Sequence, residues 1–376
     1  MIENAVMVSS GMRVSCGRDD LVQRLGIVSR AVSTRTAVQI LSGILLRAEA
    51  GELHLAATDM ELSLRTALPA EIDGEGSVVV PGRLLLEIAR TLPEGDVELE
   101  HRAEEGVVRL TCGQATFKLH TYNAEDFPRL PDADVAESFT IDSETLLETV
   151  GRVSRSASRD ESRPVLTGIL VRFEGGKLVM AATDSYRLSV KETVLVEGPA
   201  DLEAIVPARA LAELARIAAG SDELRIGVHE NQVVFGTDGV WLTTRRIDGQ
   251  FPNYRQLLPE TFEHELTLPR GELLEVVRRT AVMAQRNSPL RLSFAEGELT
   301  VSAHTPDVGE ASESLAVAFS GEPLEIGFNA DFLREGIESV SADEVRLKLI
   351  NPLRPGLIQD AGDDFWYLIM PIRLAG

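Results

Sequence analysis

The sequence predicts an α+β fold, antiparallel sheet with two helices, written three times in succession. Three observations predict it. Two long stretches repeat in step: GIVSRAVS at 26–33 returns as GRVSRSAS at 151–158, LSGILLR at 41–47 as LTGILVR at 166–172, and AATD at 56–59 as AATD at 181–184, all at one offset of 125 residues. VVVPGRLLLEIAR at 78–90 echoes AIVPARALAELAR at 204–216, and DFP at 126–128 echoes QFP at 250–252. A third, worn copy follows, in which ELLEVVRRTA at 272–281 matches TLLETVGRVS at 145–154, EGELTVSAH at 296–304 stands where EGGKLVMAATD stood, and LEIGFNADFLREGI at 324–337 replays the strand and helix of VVVPGRLLLEI. A repeat this long is a domain, since solenoid units run to about 20–50 residues. The expected division is an extension at 1–11 and domains at 12–136, 137–264 and 265–376.

The second copy shows the elements of one domain in order. FTID at 139–142 is a short strand, and Ser143 is placed to cap the helix that follows. That helix, ETLLETVGRVSRSAS, carries apolar residues at 146, 147, 150 and 153, the spacing of one face. TGILVRFEGGKLVMAATD then gives two strands turning at Gly175-Gly176, a hairpin that recurs at Ala50-Gly51 and Glu296-Gly297. A second helix, ALAELARIA, follows Val206-Pro207-Ala208, and ELRIGV, QVVFG and VWLTTRR are strands. The copy closes on a loop with two prolines, FPNYRQLLP. The sum is antiparallel sheet plus two helices.

Composition narrows the class. No apolar run reaches the roughly 18–20 residues of a membrane span, and MIENAVMVSSGM lacks the basic start and long apolar stretch of a secretory leader, so the expectation is a cytoplasmic protein with no membrane partner. Cys16 and Cys112 are the only cysteines, too few for a disulfide framework. The net charge of −22, from 37 basic and 59 acidic residues, argues against adhesion to nucleic acid over the whole surface. Distribution qualifies the sum: only four basic residues are lysine, and arginines recur in the helices of each copy. Arg152, Arg155 and Arg159 lie at i, i+3 and i+7; Arg24, Arg30 and Arg35 stand in copy one, and Arg278 and Arg279 in copy three, with Arg209 in a second helix. If the copies surround an axis with these helices inward, the arginines converge on a channel while the acidic residues face out.

The triple repeat, AATDSYRLSV at 181–190, DGQFPNYRQLLP at 248–259 and the terminal YLIMPIRL at 367–374 together resemble the bacterial DNA polymerase III beta subunits, the replicative sliding clamps. The likeness runs from about residue 12 to 374. It implies a head-to-tail homodimeric ring of six similar domains, helices lining the lumen and sheets forming the outer wall, that encircles double-stranded DNA without reading sequence and slides on it. Such a ring is a processivity factor without catalytic residues or cofactor. Its implied partners are the replicative polymerase alpha subunit, a clamp-loader ATPase, and repair and translesion polymerases.

Carried over stretch by stretch, the resemblance places a peptide-binding groove at Arg163, Leu166, Thr183, Ser185, Tyr186, Arg187 and Leu188, then Pro252, Gln256 and Leu257, then Leu368, Met370, Pro371, Ile372, Arg373 and Leu374. The apolar members and the adaptable methionine suit a short segment bearing Leu or Phe. Ser185-Tyr186 departs from the commoner Gly-His, and Gln256 stands where a basic residue is frequent. DNA contacts are implied at Arg35, Arg159 and Arg163, and the dimer contact at Phe117 and Leu119 against Val282 and Met283.

Two other classes fit parts of the sequence. Asp59 and Asp184, one from each AATD, would serve a bilobal hydrolase with a shared carboxylate pair, but the order is Ala-Thr-Asp, copy three has His304-Thr305, and a strand-ending turn accounts for them. A peptide-binding scaffold that never encircles DNA would need neither ring nor basic lumen. The histidines carry no zinc spacing, and no GxxxxGK[ST] loop is present for ATP.

Overall fold

The computed structural model describes residues 11–33, 37–130, 138–195, 202–229, 231–284 and 288–374. Every strand pairing among them is antiparallel. The chain forms two compact units, one of residues 1–143 with 216–245 and the other of 144–215 with 246–376. The division therefore runs through the middle repeat, because the sheets are built from halves of successive repeats.

In the first unit, an eight-stranded sheet runs Ser138–Asp142, Glu223–His229, Gln232–Thr237, Val240–Arg245, Leu62–Pro69, Glu52–Thr58, Gly43–Glu49 and Gly76–Pro81. Its seam is the pairing of Val240–Arg245, from the second repeat, with Leu62–Pro69, from the first. A five-stranded sheet runs Glu71–Ile72, Arg13–Gly17, Asp96–Arg102, Val107–Cys112 and Ala115–His120. Helix Gly82–Thr91 buries Leu85, Leu86, Ile88 and Ala89 on one face. Each such leucine removed from water contributes about 1.5–3 kcal/mol. Helix Arg18–Val28 buries Leu21, Leu25 and Val28 at the same kind of spacing.

The second unit repeats the plan. Its eight-stranded sheet runs His264–Pro269, Glu344–Leu349, Gly356–Gln359, Phe365–Ile369, Arg187–Val194, Lys177–Thr183, Gly168–Glu174 and Leu202–Pro207, with the seam between Phe365–Ile369 and Arg187–Val194. A four-stranded sheet runs Gly309–Ala316, Glu298–Thr305, Leu290–Ala295 and Leu324–Phe328. Helices Arg270–Ala281 and Ala330–Glu338 close over a core that includes Phe294, Phe328, Phe365 and Tyr367. Gly336 is required there, since a Cβ at that position would come within 2.5 Å of the Tyr367 ring.

Two local expectations are corrected. The helix expected to run on through Arg155 ends at Val153 and passes into a 3-10 turn, Ser154–Ser156. Ser156 is buried with its hydroxyl 2.6 Å from that of Ser189, and the Arg155 carbonyl accepts a bond from Arg187, so tertiary partners draw the chain out of the α conformation. Arg152, Arg155 and Arg159 therefore do not form one helical stripe. Ser143 opens its helix as a buried helical residue whose hydroxyl donates to the Ala218 carbonyl at 3.3 Å, in place of an N-cap role.

Candidate functional site

The second unit carries a cavity of about 580 Å³ against the end of its seam. Thr183, Ser185, Arg187 and Leu188 line it from the turn between Lys177–Thr183 and Arg187–Val194, Leu368 and Met370 from the neighbouring strand end, and residues 256–261 and Ile350, Leu353, Arg354 and Pro355 from two loops. Leu257, Leu353 and Met370 are exposed, an apolar surface open to a ligand.

The Thr-Asp pair builds the turn. Thr183 Oγ1 donates to the Arg187 carbonyl at 2.6 Å and accepts from the Ser185 amide at 3.1 Å, while Asp184 Oδ1 accepts from the amides of Tyr186 and Arg187 at 2.9 and 3.0 Å. These bonds hold Ser185 at φ 78°, left-handed backbone that a serine adopts only when its surroundings over-determine it. The carboxylate is thereby engaged in structure, and the shared-proton dyad has no support in this geometry.

One member of this lining, Arg187, is largely buried and ion-paired to Asp184 at 3.1 Å and to Glu335, with its guanidinium carbon 4.2 Å from the centre of the Phe332 ring. It also donates to Tyr367 Oη at 3.3 Å, which in turn donates to the Phe332 carbonyl at 2.7 Å. Burial works against the charge of Arg187, yet Tyr367 and Glu335 outweigh it and hold the guanidinium above its ordinary range. Arg187 is thus a structural anchor of the groove, and Arg163 is its polar rim: Nη1 donates to Ser185 Oγ at 3.0 Å and Nε to Asp160 at 2.9 Å.

Of the expected groove residues, Thr183, Ser185, Arg187, Leu188, Gln256, Leu257, Leu368 and Met370 are brought together. The others stand around them. Tyr186 is exposed and its carbonyl accepts from the Met370 amide at 2.9 Å; Leu166 is buried in the short helix Pro164–Thr167, and Pro252 is exposed. Beyond Met370 the chain turns onto another strand, where the Ile372 amide donates to the Gly327 carbonyl at 2.8 Å and Leu374 packs over Gly327; Pro371 and Arg373 belong to this segment.

The arginines expected in the lumen differ widely in how they are engaged. Arg152 is buried and paired with Asp360 at 2.9 Å and Glu148 at 2.8 Å, which commits it to the interior. Arg155 pairs with Glu338, Arg278 with Glu275 and Glu338, and Arg279 with Glu275 and Glu313. Arg24 donates to Thr66 Oγ1 at 3.1 Å and to the Asp238 carbonyl. Arg30, Arg159 and Arg209 are exposed, and Arg159 has no polar partner among the described residues; Arg35 lies outside them. Of the residues expected at a dimer contact, Leu119 is buried, Phe117 and Met283 are half-buried, and Val282 is 81% exposed.

Comparison with known proteins decides the family. Three models of the DNA polymerase III beta subunit match in order: its N-terminal domain at 12–131, central domain at 140–253 and C-terminal domain at 255–373. The chain belongs to the DNA polymerase III beta subunit family. The beta sliding clamp of Streptomyces coelicolor is 34% identical, covering 97% of this chain and all of that one. The solved sliding clamp from Bacillus subtilis superposes with a TM-score of 0.93 at 26% identity over 97% of this chain and all of that one. The Caulobacter crescentus beta subunit gives 0.90 at 29%, over 96% of this chain and all of that one. The role that goes with the family is that of the sliding clamp, a processivity factor for the replicative DNA polymerase.

Within this sliding clamp, the groove wall at Ile350, Leu353, Arg354 and Pro355 escaped sequence reasoning. Its trace in the sequence is NPLRPG at 351–356, a loop with two prolines placing a leucine that is 65% exposed. An isolated loop leucine is ordinary, so only the fold reveals that it faces Leu257 and Met370 across one cavity.

Proposed function

We propose that two chains close head to tail into a ring around duplex DNA, through a sheet that a single chain leaves unfinished. The observation that carries this is the fate of the repeat seams. Two seams are made within the chain, Val240–Arg245 on Leu62–Pro69 and Phe365–Ile369 on Arg187–Val194. The strands corresponding to a third seam, Ala115–His120 and Gly309–Ala316, are each the free edge of a sheet. Free edges of this length demand a partner or protection. A second chain offers the missing partner to each, and two equivalent contacts close the assembly.

Register follows by analogy. Trp241 faces Arg65 and Trp366 faces Val190, which puts Thr116 opposite Ser312 of the other chain. Phe117, half-exposed at its free edge, then gains cover from that chain, as do Val282 and Met283. The division into domains 12–136, 137–264 and 265–376 fits this scheme, each seam joining one domain to the next. Arg24, Arg30, Arg155, Arg159, Arg209, Arg278 and Arg279, with Arg35 and Arg163, are the proposed lumen contacts, and Arg152 is left out because it is buried and spent on Asp360. Guanidiniums already paired with glutamates attract phosphates weakly, which suits sliding. The groove would receive Leu- or Phe-bearing segments of the polymerase alpha subunit, the clamp loader, and repair and translesion polymerases in the cytoplasm. The protein would act without catalytic groups.

Cysteines at both positions test the closure. A Thr116→Cys/Ser312→Cys chain should oxidise to a covalently closed dimer, since Cβ atoms of facing residues lie about 4.5–5.5 Å apart. Each single variant should remain uncrosslinked. Failure of the double variant to crosslink would refute the seam.

A further inference from the structure

The turn that walls the groove has a twin in the first unit. Thr58 Oγ1 donates to the Leu62 carbonyl at 3.0 Å and accepts from the Met60 amide at 3.0 Å, while Asp59 Oδ1 accepts from the amides of Glu61 and Leu62 at 3.1 and 2.9 Å. Met60 has φ 77°, beside 78° for Ser185. The seam continues the likeness: Ser63 faces Thr243 as Leu188 faces Leu368, and the Arg245 amide donates to the Glu61 carbonyl as that of Met370 does to Tyr186. Against this turn lies a cavity of about 190 Å³, whose lining includes Thr58, Ser63, Arg129, Thr243 and Arg245.

The backbone is the same and the chemistry is different. Where the groove presents Leu188, Leu368 and Met370, the twin presents Ser63, Thr243 and Arg245. Arg129, two residues past the buried Phe127, adds a second guanidinium. Arg129 and Arg245 are both exposed, and neither guanidinium has a hydrogen bond or ion pair among the described residues. That is unusual company in a chain with 59 acidic residues and 37 basic ones, and Glu61 is the one carboxylate among the described lining residues.

We propose that this pocket is a second docking site, separate from the apolar groove, for an acidic stretch of a partner polypeptide. Met60, Pro128 and Leu130 give the lining some apolar surface, but Ser63, Thr243 and Arg245 replace the three apolar side chains that a leucine or phenylalanine meets in the groove. A carboxylate would meet two guanidiniums that no acid among the described residues neutralises, each with the forked donor geometry that suits it. The small volume admits one or two side chains and leaves no room for a continuous phosphate backbone.

A fluorescein-labelled peptide with consecutive Asp and Glu residues in a Gly-Ser frame provides the probe, read by anisotropy with the full-length protein. The acidic peptide should bind, and the Arg129→Gln/Arg245→Gln variant should lose about tenfold or more in affinity. An apolar Leu-Phe peptide should bind that variant as it binds the parent and should not displace the acidic peptide. An unchanged melting temperature, expected for two exposed side chains, shows that the variant is folded. Undiminished acidic-peptide binding in the variant would overturn the proposal, as would equal binding of the Asn/Gln version of the peptide. Binding of a short single-stranded oligonucleotide through these arginines, without binding of the acidic peptide, would overturn it as well.

Discussion

Arg187 shows how much of the groove depends on one largely buried side chain. Its two carboxylate partners, its contact with Phe332 and its bond to Tyr367 tie the turn to helix Ala330–Glu338 and to the strand end that carries Leu368 and Met370. Arg187→Met should therefore cost about 3–5 kcal/mol of unfolding free energy in urea, because it leaves Asp184 and Glu335 without their cation. Met370→Glu should do the reverse, leaving stability within about 0.5 kcal/mol while weakening an apolar peptide about tenfold or more by anisotropy, since Met370 is 45% exposed and lines the cavity. At this scale the sequence was partly legible. Thr183, Ser185, Leu188, Leu368 and Met370 could be placed because motif and position coincide. Arg187 was expected as a lining residue, and its role as a buried anchor depends on Glu335 and Tyr367, 148 and 180 residues away.

Among elements, the loop at 360–364 is where charge holds structure together. Asp360 is buried, which works to raise its pKa, but bonds from Ser341 and from the Ala361 and Ser341 amides, with the charge of Arg152, outweigh burial and hold the carboxyl below its ordinary range. A carboxyl depressed in the folded state contributes stability that is present above its unfolded value and lost as pH falls through the folded one. Unfolding free energy should thus drop as pH is lowered below about 4, and Asp360→Asn, already less stable at neutral pH, should show a shallower drop. Hairpins were readable because Gly175-Gly176 and Ala50-Gly51 supply the positive φ a tight turn needs. The end of the helix at Val153 was not, because the residues that stop it, Ser189 and Arg187, come from a later strand.

At the scale of the molecule, the repeats announced three domains, whereas the compact units are two, because the strands of neighbouring repeats are woven into shared sheets. Periodicity reports what one repeat looks like; it does not report which edges pair across repeats. Those edges are also where assembly should fail first. Val282→Asp or Phe117→Asp should shift the dimer to monomer in analytical ultracentrifugation, and a dimer unaffected by either change would remove these residues from the contact. In the proposed ring, closure rather than affinity holds this protein on DNA. The direct measurement is to load it with its clamp loader onto nicked circular plasmid, isolate the complex and linearise half of it. Retention on the circle with loss from the linear DNA is expected; equal retention on both, or none on either with a competent loader, would contradict the ring.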